Sequence, residues 1–288
     1  MMEWLNTLVQ GVLLGGLYAM FAVGLSLMFG IMRLVNIAHG DFIVLASYLA
    51  LVVVEALGLS PLASLALVVP LMFAVGYGLQ RGLLNRTLGQ DILPPLLVTF
   101  GLSIILQNLL LEFFSADSRK LSQGELEVAS VSLGGLSLGV MPLLVFGSAL
   151  AVIGGLQLLF YKTRLGRAFR ATSDDQHTAQ LMGIDNRHIF GLAMALAMAV
   201  VSIAGVFLAV RTSFDPSVGP ARLLYGFEAV IIGGLGSLWG TLAGGVILGV
   251  AQAVGARIDP GWQILAGHLV FLLILVFRPR GLFPRSVD

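Results

Sequence analysis

Apolar segments of about membrane-spanning length recur along nearly the whole chain, and they restrict its fold more than any other feature. A transmembrane helix needs roughly 20 consecutive apolar residues, and 58% of the 288 residues are hydrophobic while only 11% are charged. Backbone N–H and C=O groups in lipid must be paired within the chain, so such segments predict helices. The predicted spans are residues 5–30, 42–57, 62–80, 94–112, 139–160, 189–210, 223–236, 240–256 and 262–277.

The paired segments 223–236 and 240–256 leave the number of spans open. Each segment is short, and the join GGLGSLWG at 233–240 is rich in glycine. Two spans, a broken helix and a re-entrant hairpin enclosed by protein all fit this pattern. The predicted fold is therefore all-α: a polytopic membrane bundle of about eight or nine helices with Gly-rich broken or re-entrant segments. It forms a single transmembrane domain over residues 1–288.

Basic residues in the predicted loops fall mainly on one side of the bundle, and the positive-inside rule makes that side cytoplasmic. The rule places the N-terminus outside, the C-terminus inside and the charged loop 162–188 in the cytoplasm. The loops 113–138 and 211–222 are then external. The larger basic group is Arg33, Arg81, Arg86, Lys162, Arg164, Arg167, Arg170, Arg187, Arg278, Arg280 and Arg285, and the smaller group is Arg119, Lys120, Arg211, Arg222 and Arg257.

Several kinds of chemistry are excluded by the residues that the chain contains. It has no cysteine, which rules out disulfides, thiolate metal sites and thiol catalysis. Its histidines lack metal-ligand spacing, and its loops supply no set of nucleophile, base and orienting group. Neither Lys120 nor Lys162 follows the glycines of a Walker loop. We therefore predict no enzyme activity and no metal or cofactor on this chain. The histidines are His39, His177, His188 and His268.

Glycines at a spacing of four residues predict close helix packing, because small residues let two helix backbones approach in a membrane. A wide face of small residues would equally suit packing against a second membrane subunit. The glycines with this spacing are Gly236, Gly240 and Gly244, Gly245 and Gly249, and Gly11 and Gly15.

The segment 162–188 carries far more charge than its surroundings, and its pattern predicts a short helix. Ser173 followed by Gln176 has the spacing of a capping box. The carboxylates Asp174 and Asp175 would then lie in the first turn, where the helix dipole favours negative charge. Gly183 is placed to close the helix in the left-handed conformation. The predicted helix runs from Asp174 to Met182.

A helix of this length spans roughly 13 Å and is too short to be stable alone in water, so we expect it to dock on a partner. Thr178, Ala179, Leu181 and Met182 can form a small apolar facet, while the cationic LGRAFR segment before them can pair with an acidic surface. The alternative is a solvated loop whose charges only enforce topology.

Polar residues interrupt the apolar pattern in RLVNIAHGDF, where Gly40 and its neighbours predict a helix break. Such a break at membrane depth is enclosed by protein or lines a cavity. The segment 233–240 is a comparable interruption in the other half and suggests pseudo-symmetry around a translocation path. An ordinary cytoplasmic turn with an Asp41 helix cap is the alternative for Asn36, His39 and Asp41.

Glu228 is the most anomalous charge, because it is surrounded by apolar residues and has no basic residue one turn away. An intramembrane carboxylate usually faces a bundle interior or water, so a pore position and an interhelical hydrogen bond both remain open. Lone polar residues in spans are expected to bond between helices; these are Gln107, Asn108, Gln252 and His268. The candidates for lining a translocation path are Asn36, His39, Asp41, Gln107, Asn108 and Glu228.

Three separated stretches together resemble the permeases of branched-chain (hydrophobic) amino acid ABC importers. They are VNIAHGDF at 35–42, LGRAFRATSDDQHTAQLMGID at 165–185 and GGLGSLWGTLAGGVILG at 233–249. The resemblance covers nearly the full length, in the family's order. It implies a multi-pass subunit of a bacterial inner membrane that imports a small solute. The chain departs from the pattern at Arg164, where many relatives carry proline.

The resemblance also implies partners: a second, related permease, two cytoplasmic ATPase subunits that hold ATP and magnesium, and an external solute-binding protein. A heterodimer of permeases is expected rather than a homodimer. In such importers the short cytoplasmic helix sits in a cleft of the ATPase. The residues that this would make ATPase-coupling are Arg164, Gly166, Arg167, Arg170, Ser173, Asp174, Asp175, Ala179, Leu181, Met182 and Gly183.

Other functions also fit parts of the sequence. In an ion-coupled secondary transporter, Glu228 and Asp41 would carry the coupling proton. An ABC permease for urea, amides or aromatic acids would share the same signatures, and a channel or structural subunit would have no energised cycle.

Overall fold

The computed structural model describes residues 2–89, 91, 93–134 and 136–283, so Arg285 lies outside the described residues. Each predicted span falls on a helix, and the all-α fold is confirmed. The elements are α1 Met2–Met32, α2 His39–Leu57, α3 Pro61–Gly82, α4 Leu93–Phe114, α5 Glu125–Val128, β1 Ser130–Leu133, β2 Leu136–Gly139, α6 Val140–Lys162, α7 Arg164–Asp174, α8 Gln176–Leu181, α9 Asn186–Arg211, α10 Gly219–Gly233, α11 Leu238–Ile258 and α12 Trp262–Phe277. The strands form one antiparallel hairpin.

Seven of the described helices are long and apolar enough to cross a membrane: α1, α2, α3, α4, α6, α9 and α11. The helix α12 has 16 residues and α10 has 15, both short of the roughly 20 that a full span needs. The expected eight or nine spans are therefore seven long helices and two short ones. Of the possibilities for 223–256, the structure has a short helix followed by a full-length one.

The bundle has two ends, which we call the α7 face and the N-terminal face. At the α7 face, the Ser173 hydroxyl donates to the carbonyl of Gly30, near the end of α1, at 2.6 Å. At the N-terminal face, Arg257 of α11 pairs with Glu3 of α1. Because the long helices alternate in direction, the ten described residues of the larger basic group lie toward the α7 face.

The two halves of the chain pack as an inverted repeat. The first half comprises α1 to α4 and the second comprises α9 to α12. Each contact in one half has a counterpart in the other. The α2–α9 contact corresponds to α10–α1, and the α3–α9 contact corresponds to α11–α1. Likewise, α4 packs on α2 as α12 packs on α10. Helix α1 runs toward the α7 face whereas α9 runs away from it, so the two halves have opposite directions in the membrane.

At both helix breaks, before α2 and before α10, the chain enters the bundle interior. The His39 side chain at the start of α2 donates from Nε2 to the carbonyl of Phe21 at 2.8 Å. Phe21 lies eleven residues before the end of α1, which is a depth of about 16 Å at 1.5 Å per residue. In the second half, residues 212–218 return into the bundle and α10 begins at Gly219, in contact with Gly40.

This arrangement corrects two sequence predictions. The counterpart of the break at 33–41 is 212–218, and not 233–240, which forms a turn at the α7 face with Gly236 against Gly30. The predicted external loop 211–222 is also shorter than expected, because its last four residues already belong to α10. The hydrophobic pattern missed this start because the first turn of α10 contains an arginine.

Glycines bring α1 and α11 into backbone contact. A Cβ atom on Gly245 would lie 2.6 Å from the Gly15 carbonyl oxygen, and one on Gly11 would lie 2.7 Å from the Cα atom of Val250. Gly249 packs against the backbone of Gly11 in the same seam. Since lipid offers no hydrophobic driving force for helix association, such close contact is a main source of attraction between these helices.

The other predicted glycine stripe divides between a helix and a turn. Gly240 and Gly244 lie in α11 against the α10 carbonyls of Gly233 and Ala229. Gly236 precedes the helix and has a φ of 81°, a left-handed conformation that favours glycine. It therefore shapes the α10–α11 turn and does not continue the helical stripe.

We predict that Gly249→Ala lowers the thermal stability of the protein, because the new methyl group overlaps the Gly11 carbonyl. Overpacking of this kind costs about 1–3 kcal/mol. The measurement is the thermal unfolding midpoint in detergent. Gly155→Ala in α6 is the matched control, since a Cβ atom there meets no neighbour within 4 Å. Equal midpoints for both variants would contradict the seam.

Candidate functional site

The N-terminal ends of α2 and α10 meet inside the bundle. A Cβ atom on Gly40 would overlap the carbonyl of Gly219, and one on Gly219 would overlap the Asp41 carboxylate. Helix N-termini carry partial positive charge, and the Asp41 carboxylate lies beside both of these ends. We call α2 and α10 the half-helices because both begin inside the bundle, at a break in the chain, and not at its surface. Transporters commonly place their substrate or ion sites where such helix ends meet at depth.

The Asp41 carboxylate is fixed by polar groups from α4. The Ser103 hydroxyl donates to its Oδ2 at 2.5 Å, and the Gln107 amide donates to its Oδ1 at 3.0 Å. Gln107 also donates to the Ser103 hydroxyl at 3.1 Å. Asp41 is buried and does not cap α2. The N-cap residue of α2 is Ala38, and no side chain makes a capping hydrogen bond there. The structure thus brings the predicted residues Asp41 and Gln107 together. It adds Ser103, one helical turn before Gln107, and Ser103 is the residue that the sequence analysis missed.

Asn36 and His39 serve the backbone of the first break. The Asn36 side chain accepts from the Ala38 amide at 3.0 Å, and His39 bonds the carbonyl of Phe21 in α1. The amide of Ile37 donates to the Thr99 hydroxyl of α4 at 3.2 Å. Both Asn36 and His39 are completely buried. Asn36 and Thr99 therefore satisfy irregular backbone within the bundle, as such backbone requires in a membrane, while His39 bonds the break to α1. The interpretation as an ordinary cytoplasmic turn is wrong.

A second set of buried polar residues lies in the other half, on α10, α11 and α12 and on the neighbouring part of α1. The His268 ring donates from Nδ1 to Oε1 of Glu228, and Glu228 is buried. The Tyr18 hydroxyl donates to the Gln252 side chain at 2.5 Å, and the rings of Tyr18 and Tyr225 lie 5.0 Å apart. Within the described chain, Oε2 of Glu228 and Nε2 of Gln252 are buried without a hydrogen-bond partner.

The lone polar residues of the spans differ in their contacts. Gln107, Gln252 and His268 bond to neighbouring helices. Asn108 does not: it is exposed on α4 and donates to the carbonyl of Ile104 in its own helix at 2.8 Å. It therefore lies apart from the other candidate path residues, because it occupies the helix position next to Gln107 and points away from the bundle.

The charged segment forms two helices instead of the single one predicted. Ser173 and Asp174 end α7, and Asp175 is the N-cap of α8. The Asp175 carboxylate accepts from the backbone of His177 at 2.9 Å and of Thr178 at 3.1 Å, and from the Thr178 hydroxyl at 2.6 Å. The bond from the Thr178 hydroxyl, with the backbone bonds, holds the pKa of the Asp175 carboxyl below its usual value. The predicted capping box fails because the Ser173 hydroxyl bonds Gly30 instead.

The end of α8 is closed as the sequence suggested. Gly183 has a φ of 83°, and the amide of Ile184 donates to the carbonyl of Ala179 at 3.0 Å, which is the pattern of a Schellman motif. The side chains of Leu181 and Met182 are 74% and 79% exposed. A closed helix end therefore presents two adjacent apolar side chains at the α7 face.

Helix α7 connects α8 to the membrane helices. Gly166 packs on the backbone of Phe160, and Phe169 is fully buried. Arg170 donates to the carbonyl of Phe160 and lies over the ring of Tyr161. A cavity of about 240 Å³ is lined by residues of α6, α7, the end of α1 and the α10–α11 turn. Arg164 and Arg167 remain exposed.

Comparison with known proteins assigns this architecture. The family model described as branched-chain amino acid transport system / permease component matches residues 7–277. The chain is 32% identical to the high-affinity branched-chain amino acid transport system permease protein BraD of Pseudomonas aeruginosa, covering 98% of this chain and 96% of the relative. It is 27% identical to LivH of Escherichia coli K12 with the same coverage, and 27% identical to LivM of that strain over 42% of this chain and 29% of the relative. No solved structure matches. The chain belongs to the branched-chain amino acid transport system permease family.

Proposed function

We propose that this protein is the permease subunit of an ATP-driven importer of branched-chain amino acids, and that its α7 face is cytoplasmic. The excess of basic residues at that face supports the orientation. BraD and LivH, branched-chain amino acid transport system permease proteins that match nearly the full length, support the substrate class. The partial match to LivM supports pairing with a second, related permease.

The observation that carries the proposal is the exposed apolar pair at the end of α8. Leu181 and Met182 are among the most exposed large hydrophobic side chains in the described chain, and they lie at the face where the membrane helices end. Exposed apolar residues on a rigid element fit a docking groove. An ATPase subunit bound there would supply the energy for transport.

A displacement of α8 would be transmitted to three membrane helices through direct contacts of α7 and α8. The Asn186 amide at the start of α9 donates to the carbonyl of Gln176 in α8 at 2.7 Å. The Ser173 hydroxyl joins α7 to α1 through Gly30. Gly166 and Arg170 join α7 to the end of α6 through Phe160. Closure of the ATPase would thereby displace α1, α6 and α9 together.

Displacement of α1 and α9 would alter the junction of the two half-helices. Helix α2 is bonded to α1 through His39 and to α9 through Ser47, whose hydroxyl donates to the Gly205 carbonyl at 2.7 Å. The Asp41 and Glu228 clusters lie on the two half-helices. We assign the translocation path to the bundle surface near this junction, shared with the second permease.

The proposed function is tested with the complete transporter, reconstituted in proteoliposomes with its ATPase subunits and binding protein. We expect leucine uptake that requires ATP and co-elution of the ATPase with the permease. Uptake by the lone chain that follows a proton gradient would overturn the proposal in favour of a secondary transporter. Uptake of urea or amides in place of leucine would overturn the substrate assignment.

We predict that Leu181→Asp combined with Met182→Asp reduces ATP-dependent uptake by about tenfold or more, since two carboxylates would be buried in an apolar interface. Membrane insertion and pairing of the permeases should be unchanged, while the ATPase is lost on purification. Val128→Asp is the control, because Val128 is 83% exposed on α5 at the opposite face. Normal uptake by the double variant would refute docking at α8.

We also predict that Glu228→Gln slows uptake about tenfold while the complex still assembles. The glutamine carbonyl can still accept the bond from His268, so only the charge is lost. Glu55→Gln, an exposed position on α2, controls for a general charge effect. Uptake rate and co-purification of the subunits are measured together. A variant that fails to assemble would show that the Glu228 charge serves helix packing.

A further inference from the structure

Two arginines stand without an acidic partner beside the junction of the half-helices. Arg211 ends α9, and Arg222 lies in the first turn of α10. In the part of the chain that the structure describes, neither side chain forms an ion pair or hydrogen bond. Nη1 of Arg211 and Nε of Arg222 are buried and unbonded. A buried donor of a charged group that lacks an acceptor is costly, so an acceptor from outside the described chain is expected.

Both arginines border segment 212–218, which leads into the junction. Arg211 directly precedes this segment, and Arg222 lies four residues after it, in the first turn of α10. Tyr225 follows Arg222 by one turn of α10, and its ring centroid lies 5.0 Å from that of Tyr18 in α1. Two arginines and two neighbouring aromatic rings therefore lie beside the junction.

The neighbouring carboxylates bond to other groups. Asp215, in the segment between the two arginines, accepts from the Ser217 amide at 2.9 Å and from its hydroxyl at 2.5 Å. Asp41 is bonded by α4, and Glu228 is bonded by His268. None of them pairs with Arg211 or Arg222 among the residues described. The arginine pair is thus available to an anion.

We propose that Arg211 and Arg222 form a subsite for the α-carboxylate of the amino acid as it enters from the N-terminal face. A guanidinium group binds a carboxylate through paired, charge-assisted hydrogen bonds, and the N-terminus of α10 adds favourable charge. The rings of Tyr18 and Tyr225 supply apolar surface for the substrate side chain. This inference rests on the proposed function and adds to it a site on the permease itself.

Binding is measured on the permease–ATPase complex in nanodiscs without the binding protein, by saturation-transfer NMR, which detects weak ligands. The probes are leucine, leucinamide, which lacks the carboxylate, and 4-methylpentanoate, which lacks the ammonium group. We expect saturation of leucine and 4-methylpentanoate and little of leucinamide. Equal saturation of leucinamide would overturn the subsite.

The variants are Arg211→Gln and Arg222→Gln, each expected to weaken leucine binding about tenfold or more. Arg119→Gln is the control, since Arg119 is an exposed arginine outside the membrane helices near the same face. Unchanged binding in both variants would overturn the proposal. Loss of the second permease on purification would also overturn it, because the arginines would then pair with an acidic residue of that subunit.

ATP-dependent leucine uptake by the complete wild-type transporter separates the two claims. If the wild type does not transport, the proposed function fails. If it transports and the arginine variants keep its KM and kcat, the subsite alone fails. A raised KM with intact assembly and unchanged thermal stability is the result expected for a binding role.

Discussion

The need to satisfy backbone hydrogen bonds inside an apolar bundle governs this structure. Two segments leave helical geometry as they enter the bundle, and the amides and carbonyls that they bury there need partners. In the first break, Thr99 accepts from the amide of Ile37 and Asn36 accepts from the amide of Ala38. In the second, Asp215 bonds the amide of Ser217, and Phe214 exchanges two backbone bonds with Arg119. Some of the buried polar residues, such as Asn36 and Thr99, are therefore explained by the irregular backbone beside them.

Once the breaks are stabilised, α2 and α10 can begin inside the bundle and meet. His39 and Ser47 of α2 then tie the meeting point to the long helices α1 and α9. Those helices receive the contacts of α7 and α8 at one end of the molecule. The structure thus joins the exposed end of α8 to the half-helix junction through a short series of direct contacts, without a flexible connection between them.

Hydropathy alone located every membrane helix to within a few residues, because the apolar runs are long and their ends carry charges. It could not show that α10 begins at Gly219, since Arg222 resembles a loop charge in the sequence. It also matched the break at 33–41 with the wrong segment, because glycine content in 233–240 resembles a helix interruption and the true counterpart contains only ordinary loop residues.

The cap of α8 was misplaced by two residues: Ser173 and Asp175 are equally good caps locally, and the tertiary bond from Ser173 to Gly30 decides between them. Asn108 and Gln107 are adjacent, and only the packing of α4 separates the bonded side chain from the exposed one.

Helix α1 has 31 residues, a rod of about 46 Å against a hydrocarbon thickness of about 30 Å. It is contacted by α7 near one end and by the glycine seam of α11 toward the other. It contains no proline, the usual cause of a sharp kink. Such a rod acts as a rigid lever that pivots within the bilayer. A tilt that moves one end of α1 outward moves the other end inward, so the two ends of the subunit cannot open at the same time.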